Sequence, residues 1–569
     1  MRRYRWEWLL RRTPEELWPL VSDTNRFNRD AGVPAVERLG PRRLRLRRYG
    51  VPIEWDEEPF EWVRPHRFGV VRRYRTGPLA EMRVAAELFP RDGGTLLRYT
   101  VEAEPRGLLG RLSTPVAIGV LARRRFGRVF AAYDRALRTE SPPSRGSGRL
   151  EPGGRGRLER ARERLAAEMR AELAARLAET LEHGDSLELA HLRPYALADA
   201  WAEPRRDVLE LCLRGVRHGA LELEWRVLCP LCRGAAQSAG SLAELTPGDA
   251  HCESCGIRVD AQLDRSVEIA FRPSASIRAT EAGAFCVGGP QVTPHVVAQQ
   301  LLAPGEEREL RLPLEPGAYR LRSPLESRRL TAEAGAPAEP GPDGRVGLEA
   351  ALRLANPSDE PLLVSLERTA WSDQAATAAD VASLQVFRDL FAREALRPGE
   401  QIAVGGLAVL FTDLRDSTRF YREVGDAPAF GAVLSHLDLL RGVVSAADGA
   451  VVKTMGDAVM AVFRRPIGAL EALARAQELL PEPLVLKAGV HYGPCIAVTQ
   501  EDRLDYFGST VNAAARLVGL STGGDVVLSA AVLADPEVAS ALAGKRLEPL
   551  TATLKGFEDE PFELFRVRP

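Results

Sequence analysis

The chain has 569 residues, 45% of them hydrophobic and 27% charged, with a formal net charge of −1. That length exceeds a single core and predicts roughly three to five domains of ordinary globular composition. No apolar run approaches the ~18 residues of a membrane span, and the opening MRRYRWEWLL lacks the features of a signal peptide, so the expected compartment is the cytoplasm. Residues 1–140 carry 29 arginines against 18 Asp and Glu, a net +11, which leaves −12 for the remainder. Such a lobe could face nucleic acid, anionic lipid or the acidic rest of the chain. Thr13, Pro14, Glu15 and Glu16 signal a helix start. Five strand-like stretches follow, RLRLRRYG, IEWDEEPFEWV, RFGVVRRYR, MRVAAELFP and GTLLRYTVEAE, and a long amphipathic segment, PVAIGVLARRRFGRVFAAYDRAL, closes the region.

Helix, strands and closing helix over residues 1–140 resemble the START-like helix-grip family, a resemblance of pattern with no diagnostic motif. It implies a sheet wrapped on a helix, enclosing an apolar small-molecule ligand. Five of the eight tryptophans (Trp6, Trp8, Trp18, Trp55 and Trp62) fall here. They either line that cavity or belong to an ordinary core. Residues 141–157 are rich in Pro, Gly and Ser and read as a linker. The run LERARERLAAEMRAELAARLAETLEHG then predicts one helix of about 25 residues. Two helical patterns and the strand-like LELEWRVLCPLC follow, compatible with a winged-helix unit, so residues 158–262 read as a helical region ending in a zinc ribbon. Strand runs and turn pairs over 263–372 predict a β-sandwich, and 373–400 a connecting helix.

Seven cysteines occur, four of them in two CxxC pairs: Cys229 with Cys232, and Cys252 with Cys255. Two knuckles presenting four thiolates suit tetrahedral Zn²⁺, so one structural zinc per chain is expected, with no open position for catalysis. Cys212, Cys286 and Cys495 are isolated and read as buried structural residues. A zinc ribbon beside a winged-helix pattern is also a nucleic-acid signature. Residues 158–262 form no basic patch, which argues against that reading.

The last region carries the chemistry. LAVLFTDLRDSTRFY (407–421) is an apolar strand ending at Asp413. VVKTMGDAVMAVF (451–463) is a hairpin turning at Gly456, with Asp457 beside the turn. In LDYFGSTVNAAARLVGL (504–520), Asn512 and Arg516 share one helix face. In order, spacing and apolar surroundings these stretches resemble the class III adenylate/guanylate cyclase catalytic domain over about residues 401–569. The resemblance implies an α/β, ferredoxin-like fold and a multidomain α+β chain whose upstream regions regulate it.

The resemblance also assigns residues. Asp413 and Asp457 would bind two Mg²⁺ or Mn²⁺ ions. Lys453 and Asp505 would read adenine, where guanylate cyclases usually carry Glu and Cys. Asn512 would orient the ribose, Arg516 would stabilise the reacting phosphate, and Lys555 is the candidate for the terminal phosphates. Metal ligands and the Lys/Asp/Asn/Arg set come from different protomers in that family, which implies a homodimer. The chemistry suits the residue types: hard carboxylates for divalent ions, and an arginine fork for charge developing on phosphoryl oxygens. The expected reaction is ATP to cyclic AMP. The alternatives are a catalytically silent nucleotide-binding signalling protein or a zinc-ribbon regulator that binds nucleic acid. His491 reads as structural, so no side-chain general base is expected.

Overall fold

The structure, a computed structural model, describes the whole chain except residues 41, 49, 140–148, 230–233, 246, 247, 249, 253–256, 281–283, 294, 369–373, 393, 398, 558–561 and 569. Thr13 caps the first helix, Pro14–Val21. Its side chain accepts from the Glu16 N–H while Glu16 accepts from the Thr13 N–H. The strand Arg2–Leu10 pairs with Gly94–Pro105, and the sheet continues through Leu79–Arg91 and Arg67–Tyr74 to β1, Glu61–Val63. A long closing helix runs from Gly107 to Thr139, with its middle turns, Pro115–Ala122, wound as a π-helix. Val129, Phe130 and Tyr133 seat it on Trp6, Trp18 and Trp62. Of the five tryptophans, Trp55 alone borders the cavity beneath this helix; Trp6, Trp18 and Trp62 are core.

The N-terminal sheet does not end with its own region. β1 pairs with β2, Val296–Leu302, by Val63 against Ala298 and Trp62 against Gln299. One 13-stranded sheet therefore runs into strands Leu362–Arg368, Gly317–Arg322 and Ser327–Ala332. The facing pair Glu307–Pro313 and Glu349–Ala355 closes a second core over it. Val267–Pro273, expected in the sandwich, pairs instead with Leu221–Leu228 in the sheet of the helical region.

Two expected helices are each broken in two. The run after the linker forms Gly154–Glu168 and Ala171–His183, with Met169 extended between them. No Gly or Pro forces the break. Folding back buries Leu158, Ala161 and Leu165 with Leu173, Leu177 and Leu181 in one core, and that packing outweighs helix propensity. The connecting helix becomes Ala378–Ala382, boxed at its start by Thr377 and Asp380, and α1, Gln385–Leu390.

The C-terminal sheet is built on β3, Gln401–Leu414. On one side lie β4, Gly449–Met455, and β5, Ala458–Phe463, in the order β4-β5-β3. On the other lies β6, Leu486–Gln500, which also pairs with β7, Arg503–Phe507, and with Val526–Ser529. One sheet face buries against α2, Asp426–Ala446, and the helix Pro466–Leu479. The other faces the middle region and α1. α3, Ser509–Leu517, packs on β6 through Gly489, where an added Cβ would meet Leu517 and Val518. β3 bulges between Ala403 and Gly405, and there the Leu263 N–H donates to the Ala403 carbonyl at 2.9 Å. Gly405 (φ 75°) is required: a Cβ would lie 2.1 Å from the Asp264 carboxylate.

α2 is, by length and composition, apolar enough to cross a bilayer, with 21 residues and mean hydropathy 1.2. Asp426, His436, Asp438 and Arg441 interrupt it, so no continuous run marks it in the sequence. In the fold Ala429, Val433, Leu440, Val443 and Val444 are buried.

Candidate active site

The hairpin from β4 to β5 turns on two residues, Gly456 (φ 68°) and Asp457, with Met455 opposite Ala458. Thr412 on β3 pairs with Val459 on β5, and that register brings Asp413 beside the turn carrying Asp457. Burial, and then the Asp457 charge, push the Asp413 carboxyl above its ordinary range, while Lys487, opposite it on β6, pulls it back. Oδ2 of Asp457 is buried with no hydrogen-bond partner. Two facing carboxylates with an orphaned oxygen fit divalent cations better than any internal hydrogen bond.

Two further buried groups border this site. Thr412 Oγ1 has no partner, and neither ring nitrogen of His436, on α2, has one. Burial holds the His436 imidazole below its usual range, opposed by Asp457. Sequence reasoning missed His436 and Lys487. A histidine inside an apolar helical stripe reads as core, and Lys487 carried one signal only: it is one of four lysines in the chain.

Lys453 and Asp505 meet directly, with Nζ 2.7 Å from Oδ2. The backbone N–H of Tyr506 donates to Asp505 Oδ1 at 2.7 Å and fixes the carboxylate. Lys453 also borders a cleft of about 360 Å³ between α1 and β4, with Arg388, Arg441 and Arg503 on its walls. Asn512 and Arg516 stand exposed on the outer face of α3, whose inner face buries Val511, Ala514 and Leu517. Lys555 is exposed in the turn after the strand Glu548–Ala552. His491 Nδ1 lies 2.8 Å from Ser529 Oγ, and burial lowers its pKa.

The zinc expectation is described in part. Cys229 and Cys252 are buried at strand ends in one core, whereas Cys232 and Cys255 lie outside the described residues. Among the described residues no three His, Cys, Asp or Glu side chains converge as a metal site.

Residues 401–537 match the adenylate and guanylate cyclase catalytic domain family, and residues 160–285 match a family of unknown function, DUF5939. The adenylate cyclase of Lachancea kluyveri is 32% identical over 25% of this chain and 9% of its own length. Adenylate cyclase 1 of Rhizobium meliloti is 30% identical over 22% of this chain and 23% of its own length. The chain thus spans less than a quarter of either relative. A solved adenylate cyclase structure from Trypanosoma brucei is 22% identical and covers 29% of this chain and 89% of that one, with a TM-score of 0.26. With its paired strand-end carboxylates and the match over residues 401–537, the C-terminal region of this chain is a class III adenylate/guanylate cyclase catalytic domain.

Proposed function

We propose that the chain is an adenylate cyclase that converts ATP to 3′,5′-cyclic AMP and pyrophosphate at a homodimer interface, under the control of its upstream regions. The observation that carries the choice of ATP is the Lys453–Asp505 contact. A lysine donor and a carboxylate acceptor match adenine N1 and its amino group, and guanine inverts that pattern. Asp413 and Asp457 would hold two Mg²⁺ or Mn²⁺ ions, which supply activation of the ribose 3′-hydroxyl and neutralisation of the triphosphate.

The 3′-oxygen attacks the α-phosphorus, the bond to pyrophosphate breaks, and the hydroxyl proton leaves to solvent. Asn512 orients the ribose. The Arg516 fork offsets charge on the phosphoryl oxygens. Backbone N–H groups at the start of the helix Ser417–Val424, and Lys555, receive the phosphates.

Exposed apolar side chains beside the polar site support the homodimer. Met455 and Phe507, 47% and 61% exposed, flank Lys453 and Asp505, and a second copy would cover them. In the N-terminal region, helix-grip in our reading, a cavity of about 270 Å³ lies under the closing helix and would hold an apolar regulatory ligand. Its wall includes Phe285 and Cys286, so residues 1–140 do not enclose it alone. The ion pair of Arg72 Nε with Glu57 Oε2, at 2.7 Å, borders it. A structural zinc at Cys229, Cys232, Cys252 and Cys255 completes the reading.

The test is cyclic AMP formation from ATP with Mg²⁺ or Mn²⁺. Asp457→Ala should abolish it, and undiminished output from that variant would overturn the mechanism.

A further inference from the structure

The closing helix of the N-terminal region has an outer face that none of the described residues covers. Leu108, Leu109 and Leu112 are 78%, 75% and 76% exposed, and Val116 and Val120 are 56% and 46% exposed. Positions 108, 112, 116 and 120 recur every fourth residue, which puts them down one side of the helix. The opposite side is spoken for: Thr114, Ala117, Ile118 and Ala122 line the cavity. Leu121 belongs to both, lining the cavity while 42% exposed.

Charge brackets this stripe. Between Glu104 and Asp134 the chain has six arginines and no carboxylate. Arg106 and Arg111 lie at one end and Arg123, Arg124, Arg125 and Arg128 at the other, all exposed, with Arg125 also on the cavity wall.

We infer that this face docks on an anionic lipid bilayer, leucines into the acyl boundary and arginines against the headgroups. An apolar stripe flanked by arginines is the composition that interfacial helices use. A second copy of the chain is the rival occupant. It would bring the same six arginines to the same stripe, and like charges at a shared interface oppose association. A bilayer with anionic headgroups satisfies the apolar and the charged parts together. Docking would also set the Leu121 edge of the cavity against the membrane, where an apolar ligand is concentrated. The inference does not depend on the cyclase reading.

Sedimentation of the full-length protein with vesicles tests it. Vesicles of phosphatidylglycerol and phosphatidylcholine in equal parts should carry the protein down. Pure phosphatidylcholine vesicles should carry much less, and rising salt should release it. The double variant Leu108→Glu, Leu112→Glu should bind at least ~10-fold more weakly. Arg123→Gln and Arg124→Gln should each weaken binding about fivefold. Because all four positions are exposed, the unfolding temperature should not change. Failure of the wild type to bind anionic vesicles, or equal binding by the double variant, overturns the inference. So does a change in solution mass caused by Leu108→Glu without vesicle binding, which would assign the stripe to a second copy.

Discussion

Lys453 is one of four lysines in a chain with 77 basic residues, and its ammonium reaches Asp505 across 52 positions of sequence. A compact ammonium suits a single ring nitrogen where a guanidinium fork would not. ATP should be preferred over GTP by about tenfold or more in kcat/KM, because mismatched buried polar groups cost ~1–3 kcal/mol each. The pair Lys453→Glu, Asp505→Cys should shift that preference toward GTP, and competition kinetics with both nucleotides measures it.

Asp525 makes a second prediction at this scale. It is fully buried and accepts from Ser521 Oγ at 2.5 Å, Thr522 N at 2.9 Å and Gly523 N at 2.8 Å, with Arg566 Nε 2.8 Å away. These donors, set against burial, hold its pKa below the ordinary 3.8. Its stabilising contribution is therefore complete above about pH 4 and is lost as pH falls through the depressed value. Asp525→Ala should cost ~3–5 kcal/mol at neutral pH, with a smaller deficit in acid, as read by urea melts across pH.

Lys453 and Asp505 lie inside strands and took their readings from the resemblance alone. Asp413, Asp457, Asn512 and Arg516 were legible by position, at a strand end, beside a hairpin turn and four apart on one helix. Lys487 and His436 were not: one reaches Asp413 only through the β3–β6 register, the other only through the packing of α2.

At the scale of elements, α1 is tied to the two strands that carry Lys453 and Asp505. Gln385 Oε1 accepts from the Val451 N–H at 2.8 Å. Arg388 Nη1 donates to the Leu504 carbonyl at 2.9 Å, and its guanidinium lies over the Tyr506 ring, 5.2 Å from the centroid. The Tyr506 hydroxyl in turn donates to the Ala382 carbonyl at 3.3 Å. Leu504 and Tyr506 are the neighbours of Asp505, so Arg388 holds the backbone on both sides of that carboxylate. Arg388→Met should raise the KM for ATP about tenfold, with a smaller change in kcat, since a buried carbonyl and a cation–π contact lose their partner. Steady-state kinetics separates the two.

α1 was legible as helix but not as a separate piece. Its break at Ser383 and Leu384 has no Gly or Pro, and follows from packing against both the middle region and the catalytic sheet. The fold-back at Met169 escaped for the same reason: both halves carry the same helical periodicity. The π-wound turns at Pro115–Ala122 leave no mark in apolar spacing either.

For the whole molecule, the joined sheet changes what a truncation would mean. β1 caps the edge of β2, Trp62 Nε1 donates to the Val296 carbonyl at 3.0 Å, and Gln299 and Gln300 donate to the carbonyls of Phe60 and Trp62. A chain lacking residues 1–140 would expose that edge and leave Cys286 and Val296 without their core. It should self-associate and unfold at lower temperature than the full chain, as light scattering during a thermal ramp would record.

Elemental analysis should find one zinc per chain in protein purified without chelator. Its removal should lower the unfolding temperature, because thiolate ligation contributes directly to folding. The two-knuckle spacing was plain in sequence. The pairing of Val63 with Ala298 was not, since strand alternation names a strand but not its partner.

That pairing also sets an order of assembly. During synthesis β1 emerges long before β2, so the N-terminal sheet waits with an open edge while the helical region is made. Contacts this distant in sequence form slowly. A nascent chain stalled before residue 296 should accordingly be more protease-sensitive in its first 140 residues than one extended past residue 368. The first region of the chain to be made would then be among the last to be finished.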